Sequence, residues 1–190
     1  SQLAEITVTG DDIEQETLDG THYQVQKYTY DGNAHAFQYT VKPTGLTGFT
    51  VKYSKYELLD NYQTTQYTTV GKYKVQITRN ADANYAKYDS QEKGKEENFM
   101  IEIVKATPTI TTAPTVTVTT DGDYSISGGV AQVGGKAVAG EWTVVETSEN
   151  AMTAITACEK KESHIATVAF IPSDQNNIAG TKDATTKVVK

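Results

Sequence analysis

An all-β chain made of two tandem β-sandwiches is the fold this sequence predicts, on three observations. Strand-like segments with two-residue alternation run along the whole chain. Turn signals separate them at short intervals, and no amphipathic helix pattern of useful length interrupts them. Phe37, Tyr39 and Val41 fall on one face of a strand, as do Phe99, Ile101 and Ile103. Ala166, Val168 and Phe170 likewise oppose Ile165, Thr167 and Ala169. A period of two builds a sheet with one buried face. "YDGN", "TGLTG", "DGD" and "GG" supply the turns. "YSKYELLDNYQTTQY" is the nearest thing to a helix and has room for one short turn. Many short strands with regular turns indicate sandwiches.

The expected strands, in order, are "AEITVTG", "THYQVQKYTYDG", "HAFQYTVKP", "GFTVKYSK", "GKYKVQITR", "NFMIEIVKA", "PTVTVTT", "GEWTVVETS", "IATVAFIPS" and "TTKVVK". Thr and Tyr are plentiful, with 12 Tyr among 190 residues, and both favour strands. Around residue 110, "VKATPTITTAPTV" reads as a junction. All the tyrosines except Tyr124 precede it, and the single tryptophan, Trp142, follows it. Two domains are therefore expected, residues 1–105 and 106–190, each large enough for a modest core.

A shift of 93 residues aligns the halves without a gap, from Phe49–Ala86 onto Trp142–Ala179. Thr50, Val51, Val75, Asn84 and Ala86 are identical to their counterparts. Phe49 falls on Trp142, Ile77 on Phe170 and Tyr85 on Ile178. The shared order of aromatic, strand, strand and Asn-(Tyr/Ile)-Ala indicates a duplicated module with divergent copies.

Hydrophobic residues make up 37% of the chain and mean hydropathy is −0.49, polar but too apolar for disorder. A net charge of −7 argues against nucleic acid as a partner. No apolar run is long enough to insert in a membrane. One cysteine, Cys158, rules out an internal disulfide or a cysteine-bound metal cluster. No signal peptide is visible at "SQLAEITV"; an exported protein would be represented here by a mature or trimmed fragment.

Several motifs together bring a family into view. "YTYDGNAHAF" at Tyr28–Phe37, "VGKYKVQITRNADANYA" at Val70–Ala86 and "FMIEIVKATPTI" at Phe99–Ile110 resemble a bacterial immunoglobulin-like repeat of the MBG type. The second half resembles the related immunoglobulin-like module that often follows. There Ser127–Val130, Gly140–Trp142, Val168–Asn176 and Thr185–Val189 carry the pattern, and Ile178 replaces the usual tyrosine. The resemblance implies two tandem immunoglobulin-like sandwiches from a large secreted or cell-wall-attached protein of a Gram-positive bacterium. It implies a spacer, stalk or adhesive role, no catalysis and no cofactor, with neighbouring domains of the same polypeptide as partners. It begins near residue 26. Residues 1–25 either complete the first sandwich or belong to the tail of a preceding repeat.

Candidate sites follow from the polar and aromatic residues. The excess of tyrosine suits a glycan or a host protein. Tyr56, Tyr62 and Tyr67 are the candidates for such an exposed surface, against core or cross-strand packing for the rest. In "NADANYA", Asn84 and Tyr85 match Asn177 and Ile178, while Asp82 falls on Gln175. A metal site would have kept its charge, so the four matched residues are expected to be structural loop anchors. Tyr85 and Ile178 are expected to be buried, and Asn84 and Asn177 to bond to backbone.

The other readings are blander. His22, His35 and His164 lack partners at metal-ligand spacing. Cys158 lies between balanced charges and reads as inert. Asp121, Asp123 and Asp174 read as turn residues, with calcium at the junction as the alternative. "SQEKGKEEN" reads as a solvated loop, with a Lys–Asn isopeptide as the alternative. No acid, base or nucleophile constellation argues for an enzyme.

Overall fold

The structure, a computed structural model, describes residues 1–118, 124–145 and 164–189. The chain divides into two compact units, Ser1–Val104 and Lys105–Lys190. Among the described residues both are built of strands and turns, without helix. The region 56–70, nearest to a helix by sequence, is turn and irregular chain.

The first unit contains β1 (Glu5–Val8), β2 (Ile13–Leu18), β3 (Thr21–Thr29), β4 (Tyr39–Lys42), β5 (Phe49–Lys55), β6 (Gly71–Arg79), β7 (Tyr88–Asp89) and β8 (Phe99–Val104). One sheet has the order β2-β3-β8-β6-β5, with β7 pairing β6. Only β3 and β8 run parallel; the other neighbours are antiparallel. β2 and β3 form a hairpin about Asp19 and Gly20, whose φ values of 49° and 79° are the left-handed pair a two-residue turn needs.

β1 pairs only β4, Glu5 opposite Lys42 and Val8 opposite Tyr39. This ribbon forms a second layer. Its Ile6, Val8 and Tyr39 pack against a buried cluster that includes Phe37, Tyr53, Tyr73, Val75, Ile77, Phe99, Ile101 and Ile103. Alternation produces that face, because Tyr73, Val75 and Ile77 of β6 and Phe99, Ile101 and Ile103 of β8 are two residues apart and point the same way. Each fully buried aliphatic or aromatic chain stabilises by about 1.5–3 kcal/mol. Gln26, 1% exposed, ties the layers together. Its amide nitrogen donates to the carbonyls of Thr9 and Gln38, both at 2.5 Å, and its oxygen accepts the Gln38 N–H at 2.9 Å. Residues 1–25 thus complete the first unit, supplying one strand of the ribbon and the edge hairpin.

The sheet's other face is also partly apolar. Tyr23, Val25 and Met100 are buried there, with Leu18 and Tyr56 against them. Ion pairs continue the surface: Lys27 lies 2.7 Å from Glu14 and 3.7 Å from Glu102, and Lys72 lies 3.4 Å from Glu16. Such exposed pairs each contribute at most about 1 kcal/mol.

The second unit contains β9 (Thr109–Val118), β10 (Tyr124–Val133), β11 (Lys136–Ala137), β12 (Gly140–Val144), β13 (His164–Pro172) and β14 (Thr181–Val189). Among the described residues their order is β11-β10-β9-β14-β13-β12, and only β9 and β14 run parallel. β10 and β12 stand far apart in that order, yet Tyr124 and Ile126 of β10 and Trp142 of β12 pack on one cluster of Val116, Val144, Ala166, Val168 and Val188. The sheet therefore curls around its core. Trp142 reaches across to Gly129: a Cβ added there would stand 2.8 Å from the indole Cε2 and 3.0 Å from Pro114 Cβ.

The repeat read in the sequence has a structural counterpart. β6 and β13 occupy matching positions under the 93-residue shift, and each lies beside the strand that ends its unit. Registers differ by an even step. Val51 faces Ile77, whereas its match Val144 faces Val168, two residues short of Phe170. A two-residue offset keeps every side chain on its own face, so both cores survive it.

Candidate functional site

The two Asn-x-Ala loops do the same thing in both units, and they do it with backbone. Gln2 donates its N–H to the Asn84 carbonyl at 2.9 Å and accepts the Ala86 N–H at 2.9 Å. Ala106 donates to the Asn177 carbonyl at 3.1 Å and accepts the Ala179 N–H at 2.8 Å. Each pair forms an isolated parallel bridge, Gln2 beside Tyr85 and Ala106 beside Ile178. The loop after each matched strand thus grips the second residue of its own unit.

Side chains support the grip differently in the two copies. In the first, Asp82 Oδ1 accepts the N–H groups of Asn84 and Tyr85, both at 2.8 Å, and Oδ2 accepts from Arg79 Nη2. The Arg79 guanidinium, followed by those two amides, holds the Asp82 carboxyl down at about 2. Arg79 is 8% exposed and spends its other donors on the carbonyls of Thr47, at 2.8 Å, and Asn80, at 3.0 Å. Its guanidinium carbon lies 5.9 Å from the Phe49 ring centre and 5.6 Å from that of Tyr85. In the second copy, Asp174 accepts the Asn177 N–H at 3.2 Å and its side-chain amide at 2.8 Å.

The four expected anchors separate accordingly. Ile178 is buried at 6% exposure, and Asn177 is buried at 9%. Tyr85 is only half-buried and lies on Arg79 instead of plugging the core. Asn84 is exposed and engages through its peptide groups, not its side chain. The side-chain task assigned to Asn84 belongs to Asp82, because a carboxylate placed two residues earlier reaches both amides at once.

Tyr56, Tyr62 and Tyr67 do not form one surface. All three are half-buried. Tyr56 sits edge-on to Tyr23, ring centres 6.1 Å apart, and its hydroxyl donates to Asp19, whose carboxylate pushes the phenol up to about 12. The Tyr62 hydroxyl is buried without a hydrogen-bond partner, and burial pushes its pKa up. Tyr67 stacks on Tyr73 at 4.2 Å and belongs to the core on the other side of the sheet from Tyr56. Its hydroxyl accepts from Gln63 Nε2 at 3.1 Å. Intramolecular contacts thus engage one face of the Tyr67 ring and the Tyr56 ring and hydroxyl.

His35 stacks on Tyr28, centres 4.4 Å apart, and bonds Asp31 at 3.0 Å, closing the "DGNAH" turn. His22 bonds Thr17 at 2.7 Å. A cleft of about 690 Å³ is lined by Gln15, Gly20, Thr21, His22, Gln24, Glu96, Glu97 and Asn98, with no Phe, Tyr or Trp in its lining. Among the described residues no three His, Cys, Asp or Glu side chains gather as metal ligands. Cys158, Asp121 and Asp123 lie outside the described residues.

Sequence reasoning missed Arg79 and Gln26. A charged or amide residue in an alternating strand reads as solvent-facing, and nothing local announces the carbonyls that receive these two. The short charged segment at 90–98 is also less solvated than expected: Ser90 is fully buried, and its hydroxyl accepts the Ile77 N–H at 2.9 Å. No family model matches the chain, and no curated protein matches it.

Proposed function

We propose that this chain is a pair of non-catalytic immunoglobulin-like modules serving as a structural spacer in a secreted or cell-wall-attached bacterial protein. The observation that carries the reading is the repeated loop grip: both copies keep the backbone bridge to their second residue and vary the side chains around it. A fold device repeated through the backbone, with different side chains around it, suits a structural array. The motifs of the MBG type support the same assignment, and so does the internal use of the tyrosine hydroxyls at Tyr56, Tyr67 and Tyr88.

The reading is tested by display. The chain is placed between a surface anchor and a reporter tag, and the reporter's height above the cell is measured. Height is expected to fall in a chain truncated to one module and to return when an unrelated domain of equal length is inserted. The purified chain is screened in parallel against glycan and host-protein arrays. Saturable binding that disappears in Tyr56→Ala or Tyr62→Ala would replace the spacer reading with the binding one.

A further inference from the structure

The five-stranded sheet of the first unit ends in a strand that is paired on one side. β2 stands last in the order β2-β3-β8-β6-β5, with no strand beyond it among the described residues. Its register shows which peptide groups face outward. Lys27 donates its N–H to the Asp12 carbonyl at 3.0 Å, and these two residues oppose each other one step beyond Ile13 and Gln26. An antiparallel ladder exchanges its bonds at every second pair, so Glu14, Glu16 and Leu18 also bond to β3. Ile13, Gln15 and Thr17 therefore turn their N–H and carbonyl groups away from the sheet. All three residues are exposed.

Their side chains share a face with Gln26, Gln24 and His22, the residues opposite them. At Gln26 that face is covered, because the carbonyls of Thr9 and Gln38, next to β1 and β4, accept its amide. Toward the Asp19-Gly20 turn it carries Gln24 and His22, polar where a core would be apolar, and it opens into the cleft of about 690 Å³. Glu96, Glu97 and Asn98 line the same cleft, and the backbone holds them there. Glu97 donates its N–H to the Ser90 carbonyl at 2.8 Å, and the Asn98 carbonyl accepts the Gln24 N–H at 2.8 Å. The lining thus contains two carboxylates and neither lysine nor arginine.

We propose that the outer edge of β2 and this cleft form a docking site for an extended, basic segment of another protein, which adds to the sheet as a further strand. Residues of the added strand that lie opposite Ile13, Gln15 and Thr17 point to the cleft side, and a lysine or arginine there meets Glu96 and Glu97. Charge selects this occupant over a second copy of the chain. Two β2 strands paired about Gln15 would set Glu14 of each copy against Glu16 of the other, and opposed like charges destabilise such a pair. The same glutamates leave a basic strand welcome. The site uses none of Tyr56, Tyr62 and Tyr67, so it adds a partner to the spacer reading and does not depend on it.

The test is fluorescence anisotropy with the full chain and a labelled heptapeptide of alternating lysine and threonine. Saturation is expected below about 1 mM peptide at physiological salt. Methylating the backbone nitrogens of the peptide's lysines keeps its charge, removes its donors to β2 and is expected to weaken binding at least about tenfold. Gln15→Pro deletes one outward N–H without touching the β2–β3 bonds, and Glu96→Lys reverses a charge in the cleft; each is expected to weaken binding about fivefold. Hydrogen exchange should slow at Ile13, Gln15 and Thr17 when the peptide is bound. Absence of saturation overturns the site. So does equal binding of the methylated peptide, which would reduce the interaction to charge attraction and needs no variant to fold. Concentration-dependent dimerisation of the chain alone, abolished by Gln15→Pro, would give the edge to a second copy and overturn the proposal as well. Each of these results leaves the spacer reading standing, since that reading falls to binding that is lost in Tyr56→Ala or Tyr62→Ala.

Discussion

Gly140 is the position where one added methyl should do the most damage. A Cβ built there lies 2.5 Å from Phe170 Cζ and 2.6 Å from Cε2, and closer still to the carbonyl oxygen of Ile171. Neither neighbour can retreat cheaply. The Phe170 ring is 2% exposed and braced by Trp142, ring centres 5.1 Å apart. The Ile171 carbonyl belongs to β13, held to β12 by the Gly140–Pro172 and Trp142–Phe170 pairs. Relief requires a shift of about 1 Å in a packed core, and such overpacking costs about 1–3 kcal/mol or more. Alanine also lowers the unfolded chain's entropy, which offsets about 0.4–1 kcal/mol of that. The net expectation for Gly140→Ala is a loss of about 2 kcal/mol. Trp142 is the sole tryptophan, so its fluorescence follows the second unit alone. With a urea slope near 1 kcal/mol/M, the midpoint should fall by about 2 M. Gly180→Ala is the control: its Cβ would meet only the Phe170 carbonyl, at 3.3 Å, and its midpoint should stay within about 0.5 M of the parent. A Gly140→Ala midpoint within about 0.3 M of the parent would refute the packing described here.

Arg79→Met keeps the apolar stem but strands the Thr47 and Asn80 carbonyls and the Asp82 carboxylate; urea unfolding followed by far-UV circular dichroism should show a loss of about 2–3 kcal/mol. Tyr88→Phe removes the hydroxyl that donates to Glu97 at 2.8 Å and should cost about 1 kcal/mol by the same measurement. Asp82 carries a pH signature. Its folded-state pKa is depressed to about 2 from an ordinary 3.8, so its contribution is present above pH 3.8 and is lost as pH falls toward 2. The urea midpoint of the first unit should therefore decline across that window, and Asp82→Asn should flatten the decline; an unchanged slope in Asp82→Asn would remove the carboxylate from the loop's support.

Much of the fold was legible because alternation is a direct image of a sheet. Phe99, Ile101 and Ile103 share a face in the sequence and are all buried. Val75 and Ile77 and their matches Val168 and Phe170 are all buried as well. What was not legible depended on partners distant in the chain. Arg79 ends β6, as the alternation indicated, yet it is buried, because Thr47, Asn80 and Asp82 satisfy its charge indoors. The tyrosines could not be divided by sequence, because the first sheet buries apolar residues on both faces and Tyr56 and Tyr67 belong to opposite ones. The edge hairpin in residues 1–25 had a signal that went unused: Asp19-Gly20 between two strand-like runs is a two-residue turn by its chemistry.

The contrast between the loops explains how so little identity preserves the same element. A metal or catalytic site depends on side-chain atoms at fixed points, so moving a carboxylate by one position destroys it. A backbone bridge depends only on a carbonyl at one residue and an N–H two residues later. Asp82 serves the first loop and Asp174 the second, and these are one position out of alignment under the 93-residue shift. Arg79 and Tyr85 brace the first, whereas Pro172 and Ile178 occupy those positions in the second. Any side-chain arrangement that orders the turn suffices, and the two copies have found different ones. Proline is the residue that the bridge excludes at 86 and 179, because it alone lacks the N–H that reaches Gln2 or Ala106. The alanines there need no chemistry of their own; they need only leave the peptide free to donate.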